Sequence, residues 1–192
     1  MKTKIFTAAV FAIALVAGST SSFAQSKLMT NEKTVMVGGA EMYPSKNIVE
    51  NAVNSKDHTT LVAAVKAADL VETLQGNGPF TVFAPTNAAF NKLPKGTVKT
   101  LLMPENKAKL QSILTYHVIA GRYSGKAIMK DIEKGNGKAT YKTVSGGTLT
   151  FMMKNNTVML MDENGGMATV TIADVNQSNG VIHVIDGVAL PK

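Results

Sequence analysis

The sequence predicts an α+β domain, and three observations carry that prediction. Apolar residues recur at helical spacing between Pro44 and Ile132, and short strand-like runs separated by turn residues follow from Gly135. A strand, a corner and a helix entry interrupt the helical part at Thr81–Phe90. Spacings of three and four residues mark one face of a helix, whereas alternation marks one face of a strand. A chain of 192 residues suits one domain with a core large enough to need no covalent staples. Cysteine is absent, which excludes a disulfide framework, a thiol nucleophile and a Cys-based zinc site.

The N-terminus has the order of a secretory signal peptide. Lys2 and Lys4 precede the apolar run Ile5–Ala17, and Ser22-Phe23-Ala24 is a small-x-small cleavage signal before Gln25. That run is shorter than the roughly 20 residues of a spanning helix. Residues 1–24 are therefore expected to be removed on export to the periplasm or beyond the cell. No later apolar run is long enough to span a membrane. Residues 25–43 read as a leader that is mobile or loosely packed, and residues 44–192 as the folded domain.

From Pro44, Ile48, Ala52 and Val53 share a short apolar helical face. Asp57 is a plausible cap for a second helix, in which Leu61, Val65 and Ala68 recur and Leu70 and Leu74 extend the set to Gly76. In Thr81–Phe90, Thr81, Val82 and Phe83 favour a strand, and Pro85 ends its ladder. Thr86 is placed to cap a helix through Phe90, with Pro85 and Phe90 at the two positions of a hydrophobic staple. Thr97 is expected to cap a short helix to Leu102, and Pro104 to open a longer one. That longer helix carries Leu110, Ile113, Leu114 and His117 on one stripe. Ser124 is expected to cap a helix that pairs Ile128 with Ile132. Beyond Gly135, Leu149–Met153 and Thr157–Met161 flank Asn155-Asn156, a two-residue turn of positive φ, and Ala168–Ile172 and Val181–Ile185 complete an antiparallel set.

Cleavage after Ala24 would leave 18 basic against 13 acidic side chains, a net charge of +5. The excess is concentrated: Lys92–Lys142 holds eleven basic and three acidic residues. Such a region reads first as a solvated lysine-rich exterior, and as an alternative suits an anionic polysaccharide or an acidic surface. A single arginine and the lack of an aromatic-basic motif point away from nucleic acid.

Three segments resemble the signatures of fasciclin (FAS1) domains. Thr81–Phe90 is similar to the first conserved box, Tyr116-His117 to the tyrosine–histidine element, and Asn179–Pro191 to the second box, in the family's order and spacing. Asn87 departs from the aspartate common there, a loss of roughly 0.3–1 kcal/mol of helix-terminus electrostatics. The resemblance implies a β-sandwich-like wedge of mostly antiparallel strands with packed helices. It also implies cell adhesion or matrix binding without catalysis or cofactor, and structural roles for Thr81, Phe83, Pro85, Thr86, Phe90, Tyr116, His117, Asn179, Gly180, His183 and Asp186.

The residues themselves point the same way. His117 and His183 sit in apolar runs and His58 reads as solvated, and none has a ligand-spaced partner, so no metal site is expected. No G-x-S-x-G elbow, P-loop or G-x-G-x-x-G occurs. The methionines are more suggestive. With Asn155-Asn156 as the turn, Phe151, Met153, Val158 and Leu160 share one face, and Met152, Met159 and Met161 the other. That second face is open to three readings: a partner-binding patch, a copper(I) site of thioethers, or a surface covered by the leader with its Met29, Met36 and Met42. Lys126, Lys130, Lys134 and Lys138 are the candidate partner-binding residues of the basic region.

Overall fold

The computed structural model describes residues 33–192. The expected signal peptide and residues 25–32 lie outside the described residues. The rest of the expected leader is not loose. It forms a hairpin of β1 (Val35–Val37) and β2 (Ala40–Met42) that turns on Gly38 and Gly39, both at positive φ. Val37 and Met42 are buried in the core. Their apolar side chains gain by leaving water, which anchors a segment whose glycines had suggested mobility.

Short helices follow. In α1 (Ile48–Ala52), Asn47 and Glu50 form a reciprocal capping box, and Val53 lies outside the buried face. The next helix divides at Asp69, whose φ is +53°, into α2 (Thr59–Ala67) and α3 (Val71–Gln75). Asp57 does not cap α2. It lies in a 3₁₀ turn, Lys56–His58, and the N-terminal amide of Thr60 is held instead by Asn87 Oδ1 at 2.9 Å. That turn carries His58 inward, so the histidine expected in solvent is only 3% exposed.

The junction at Thr81–Phe90 is β3 (Phe80–Pro85) running into α4 (Asn87–Asn91), with Thr86 Oγ1 accepting the Ala89 amide at 3.2 Å. Asn87 Nδ2 donates to the Lys56 carbonyl at 2.9 Å, a bond that an aspartate lacks the proton to make. The departure from the family pattern therefore adds a tether where only a loss was expected. Gly96, at positive φ, takes the N-cap position of α5 (Thr97–Leu101), so Thr97 is its first residue and not its cap. Then come α6 (Lys107–Tyr116), β4 (Val118–Ala120) and α7 (Gly125–Lys134), the last capped by Ser124 Oγ on the Ala127 amide.

The C-terminal third is β5 (Lys138–Lys142), β6 (Thr148–Lys154), β7 (Thr157–Met161), β8 (Met167–Gln177) and β9 (Gly180–Ile185). One seven-stranded sheet results, in the order β4-β3-β9-β8-β7-β6-β5, with β3 and β9 its parallel pair. Asn155 and Asn156 both adopt positive φ, which sets the β6–β7 register with Met152 opposite Met159 and Phe151 opposite Leu160.

Every residue of β9 is buried, because β3 and β9 are covered on both faces. Val82, Ala84, Ile182 and Val184 face the helices and the β1–β2 hairpin in one cluster. Phe83 and Ile185 enter a second cluster with Leu149, Phe151, Leu160 and the α7 residues Ile128 and Ile132. The hairpins thus close over the reverse of the central strands. The fold is α+β and sandwich-like, as the resemblance implied.

Candidate functional site

The signature residues are knitted into the backbone. Thr81 Oγ1 donates to the Gly121 carbonyl at 2.7 Å and accepts the Tyr123 amide at 2.9 Å. Phe83 lies between the rings of Phe151 and His183, at 4.9 and 5.4 Å. The Tyr116 hydroxyl donates to the Thr148 carbonyl at 2.6 Å and accepts the Glu163 amide at 3.1 Å. Asn179 joins two helices: its Oδ1 accepts the Ile48 amide, and its Nδ2 donates to the carbonyls of Leu74 and Gly76. Gly180 is required by close approach, since a Cβ there would lie 2.2 Å from the Phe80 carbonyl oxygen. Asp186 Oδ1 accepts the Thr169 amide, and its Oδ2 meets Lys92 Nζ at 3.3 Å. Pro85 and Phe90 are buried at the corner.

The histidines are likewise engaged. His117 Nδ1 donates to the Ile113 carbonyl at 2.8 Å, and its Nε2 accepts the Ala189 amide at 3.0 Å. His183 has the opposite tautomer, with Nε2 donating to the Tyr123 carbonyl at 2.8 Å and Nδ1 accepting the Asp174 amide. Burial lowers the pKa of both below the ordinary histidine value. Both imidazoles are held neutral with each nitrogen directed at a backbone group. His58 Nδ1 meets Ser55 Oγ at 2.8 Å, and its Nε2 is buried facing the Ala84 backbone without reaching hydrogen-bond geometry.

The outward face of the β5–β8 sheet is different in kind. Cross-strand register places Lys138, Met152, Met159 and Thr169 in one row and Thr140, Thr150, Met161 and Met167 in the next. Opposed residues in a sheet are neighbours, so Met152 lies beside Met159 and Met161 beside Met167 on the same face. Met152, Met159 and Met161 are half-buried and Met167 is 43% exposed. Sequence reasoning found the first three but missed Met167, whose place depends on β7 pairing with β8. The described part of the expected leader does not cover this face: Met42 is buried on the helix side and Met36 is 59% exposed.

The basic candidates divide. Lys138 joins the methionine rows through Met152, and Lys142 lies four residues further along the same face of β5, beyond Thr140. Lys126, Lys130 and Lys134 instead form an exposed i, i+4 stripe on α7, opposite its buried Ile128 and Ile132. Lys134 lies 3.9 Å from Asp131. Among the described residues, no three His, Asp or Glu side chains cluster to hold a metal ion, and no helix is long and apolar enough to cross a membrane.

A helix-flanked, mostly antiparallel sheet whose signature side chains are engaged within the domain is the FAS1 fold. The fasciclin-domain profile matches residues 56–191, and the chain belongs to the fasciclin family. It is 46% identical over 191 residues to protein sll1483 of Synechocystis, covering the whole of this chain and 99% of that relative. It is 38% identical to the cell surface glycolipoprotein MPB83 of Mycobacterium bovis, over 73% of this chain and 58% of that one. Among solved structures it resembles the FAS1 domain pair of the insect cell adhesion molecule Fasciclin I, with a TM-score of 0.67 and 20% identity over 76% of this chain. It spans about half of that chain (51%).

Proposed function

We propose that this chain is an exported, non-enzymatic fasciclin module that adheres to a protein of a cell surface or extracellular matrix. The contact is made through the methionine face of β5–β8, and the lysines add affinity for anionic polysaccharide. The carrying observation is the register that sets Met152, Met159, Met161 and Met167 side by side with Lys138 at their edge. Flexible, polarizable thioethers adapt to an irregular partner surface. Fully burying a methionine contributes roughly 1.5–3 kcal/mol, and these are already half-buried, so the gain is at the lower end before association costs. The contact is accordingly weak singly and strengthened by avidity.

Export rests on the signal-like N-terminus and on kinship with a cell surface glycolipoprotein; adhesion rests on the family and on the fold shared with a cell adhesion molecule. Copper(I) handling by the methionines finds no support in the family match or the relatives.

The test is capture of a partner from native envelope or matrix by the exported chain and by Met152→Ser/Met159→Ser. The variant is expected to keep its unfolding midpoint within a few degrees and to lose the partner. Equal capture by both proteins would remove the methionine face from the function.

A further inference from the structure

All of the sulfur in this chain is thioether: it has eleven methionines and no cysteine, and no tryptophan either. Mild oxidants therefore have methionine as their first target. The fold sorts these side chains. Met42 is only 3% exposed and lies in the helix-side cluster, and Met153 packs against the cluster on the reverse of the central strands. Met152, Met159, Met161 and Met167 belong to neither cluster. They alternate along β6, β7 and β8 with the buried Phe151, Leu160 and Ala168, and so occupy the outward face.

Their neighbours matter as much as their exposure. Across the strands Met152 has Lys138 beside it, Met159 has Thr169 and Met161 has Thr150. Among the described residues, the Lys138 ammonium makes no ion pair, and neither threonine hydroxyl is hydrogen-bonded to the protein. A thioether is a weak acceptor and makes little use of such donors. A sulfoxide oxygen is strongly polar, and at three of the four positions it would find a donor on the next strand. Sulfoxidation disrupts a protein when the side chain is core, whereas here it would alter only the exterior.

We propose that the outward face of β6–β8 is a site of reversible sulfoxidation at Met152, Met159, Met161 and Met167, with a hydroperoxide as oxidant. In each step the sulfur lone pair attacks the distal peroxide oxygen and the O–O bond breaks. Sulfur loses two electrons and keeps that oxygen, whose proton passes to the departing oxygen, which leaves as an alcohol, or as water from hydrogen peroxide. The return step is that of a methionine sulfoxide reductase: two thiols become a disulfide and the oxygen leaves as water. The face is thereby switched from apolar to polar. Loss of adhesion on oxidation rests on the function proposed above; the modification itself does not.

The experiment exposes the exported chain carrying Met29→Leu, Met36→Leu, Met103→Leu and Met129→Leu to hydrogen peroxide and maps sulfoxides by peptide mass spectrometry over time. Those substitutions remove one methionine outside the described residues and three that are exposed elsewhere. The four face positions are expected to react ahead of Met153 and at least about tenfold faster than Met42, since susceptibility follows exposure. The unfolding midpoint should stay within a few degrees while retention on phenyl-agarose falls, and reductase with a thiol should restore it. The further change of Met152, Met159, Met161 and Met167 to leucine should make retention insensitive to peroxide. Oxidation of Met42 or Met153 as fast as the face, unfolding that accompanies oxidation, unchanged retention, or equal loss of retention in the leucine variant would each overturn the site. Selective, reversible modification with unchanged partner capture by the oxidised chain would uphold the site and remove the methionine face from adhesion.

Discussion

His117 Nε2 accepts the amide proton of Ala189 at 3.0 Å, so the end of α6 and the C-terminal tail, 72 residues apart, meet at one imidazole. The amide can only donate, and the Ile113 carbonyl at Nδ1 can only accept. Both conditions are met by one neutral tautomer and by no protonated form. His183 obeys the same logic with its nitrogens exchanged, between the Tyr123 carbonyl and the Asp174 amide.

The pH dependence of stability follows. All three histidines have folded-state pKa values lowered chiefly by burial, so the unfolded chain binds more protons than the folded one below about pH 6.5. Stability is then full above that pH and falls as acid is added, until the folded-state values are reached. For His117 and His183 together the slope approaches about 3 kcal/mol per pH unit at most. Urea unfolding at pH 7.0 and 5.5 should show a drop of roughly 1–3 kcal/mol. A flat profile over that range would mean that the imidazoles are solvated.

Asn179 is expected to be the most costly polar truncation in the signature segments. Asn179→Ala removes three hydrogen bonds and leaves the Leu74 and Gly76 carbonyls and the Ile48 amide to find water. A loss of about 2–4 kcal/mol is expected in denaturant titration. Asn179→Asp should be no better, because its second oxygen would face two carbonyls.

Gly180→Ala tests the close approach of β9 to β3. The added methyl would sit 2.2 Å from a backbone oxygen that belongs to the parallel pair itself, so neither strand can yield without losing register. Destabilisation beyond about 3 kcal/mol, or failure to accumulate as folded protein, is expected by circular dichroism and denaturant titration. A variant of near-normal stability would show that the two strands are not so tightly apposed.

The lysine stripe of α7 should behave as a screened, additive surface. Retention on dextran sulfate is expected to fall steeply between 50 and 200 mM salt, since exposed charges interact within a screening length of about 8–10 Å. Lys126→Gln with Lys130→Gln should shift elution to lower salt without changing the unfolding midpoint. Salt-independent retention would remove the stripe as a polyanion site.

Much of this architecture is legible in the chain because it is locally encoded. The cap at Thr86, the cap at Ser124 and the Asn155-Asn156 turn depend on residues within a few positions of one another, and the turn sets the β6–β7 register. The illegible parts are those in which a distant partner outweighs a local preference. Val37 and Met42 are held by the helix-side core despite the glycines between them, and His58 is carried inward by a 3₁₀ turn that its polar neighbours do not announce. Asn87 reaches across to Lys56 and Thr60, a use that no spacing rule reveals.

The candidate face divides in the same way. Alternation around a recognisable turn placed Met152, Met159 and Met161 together. The addition of Met167, the contact with Lys138 and the separation of Lys126, Lys130 and Lys134 onto α7 follow from which strand lies beside which. By itself the sequence determined the family, the strand-to-helix corner at Thr86, the cap at Ser124 and the β6–β7 turn, because capping and turn chemistry act over a few bonds. Only the tertiary structure decided which faces were sealed and which were left to water, because burial is settled by the packing of segments remote in the chain.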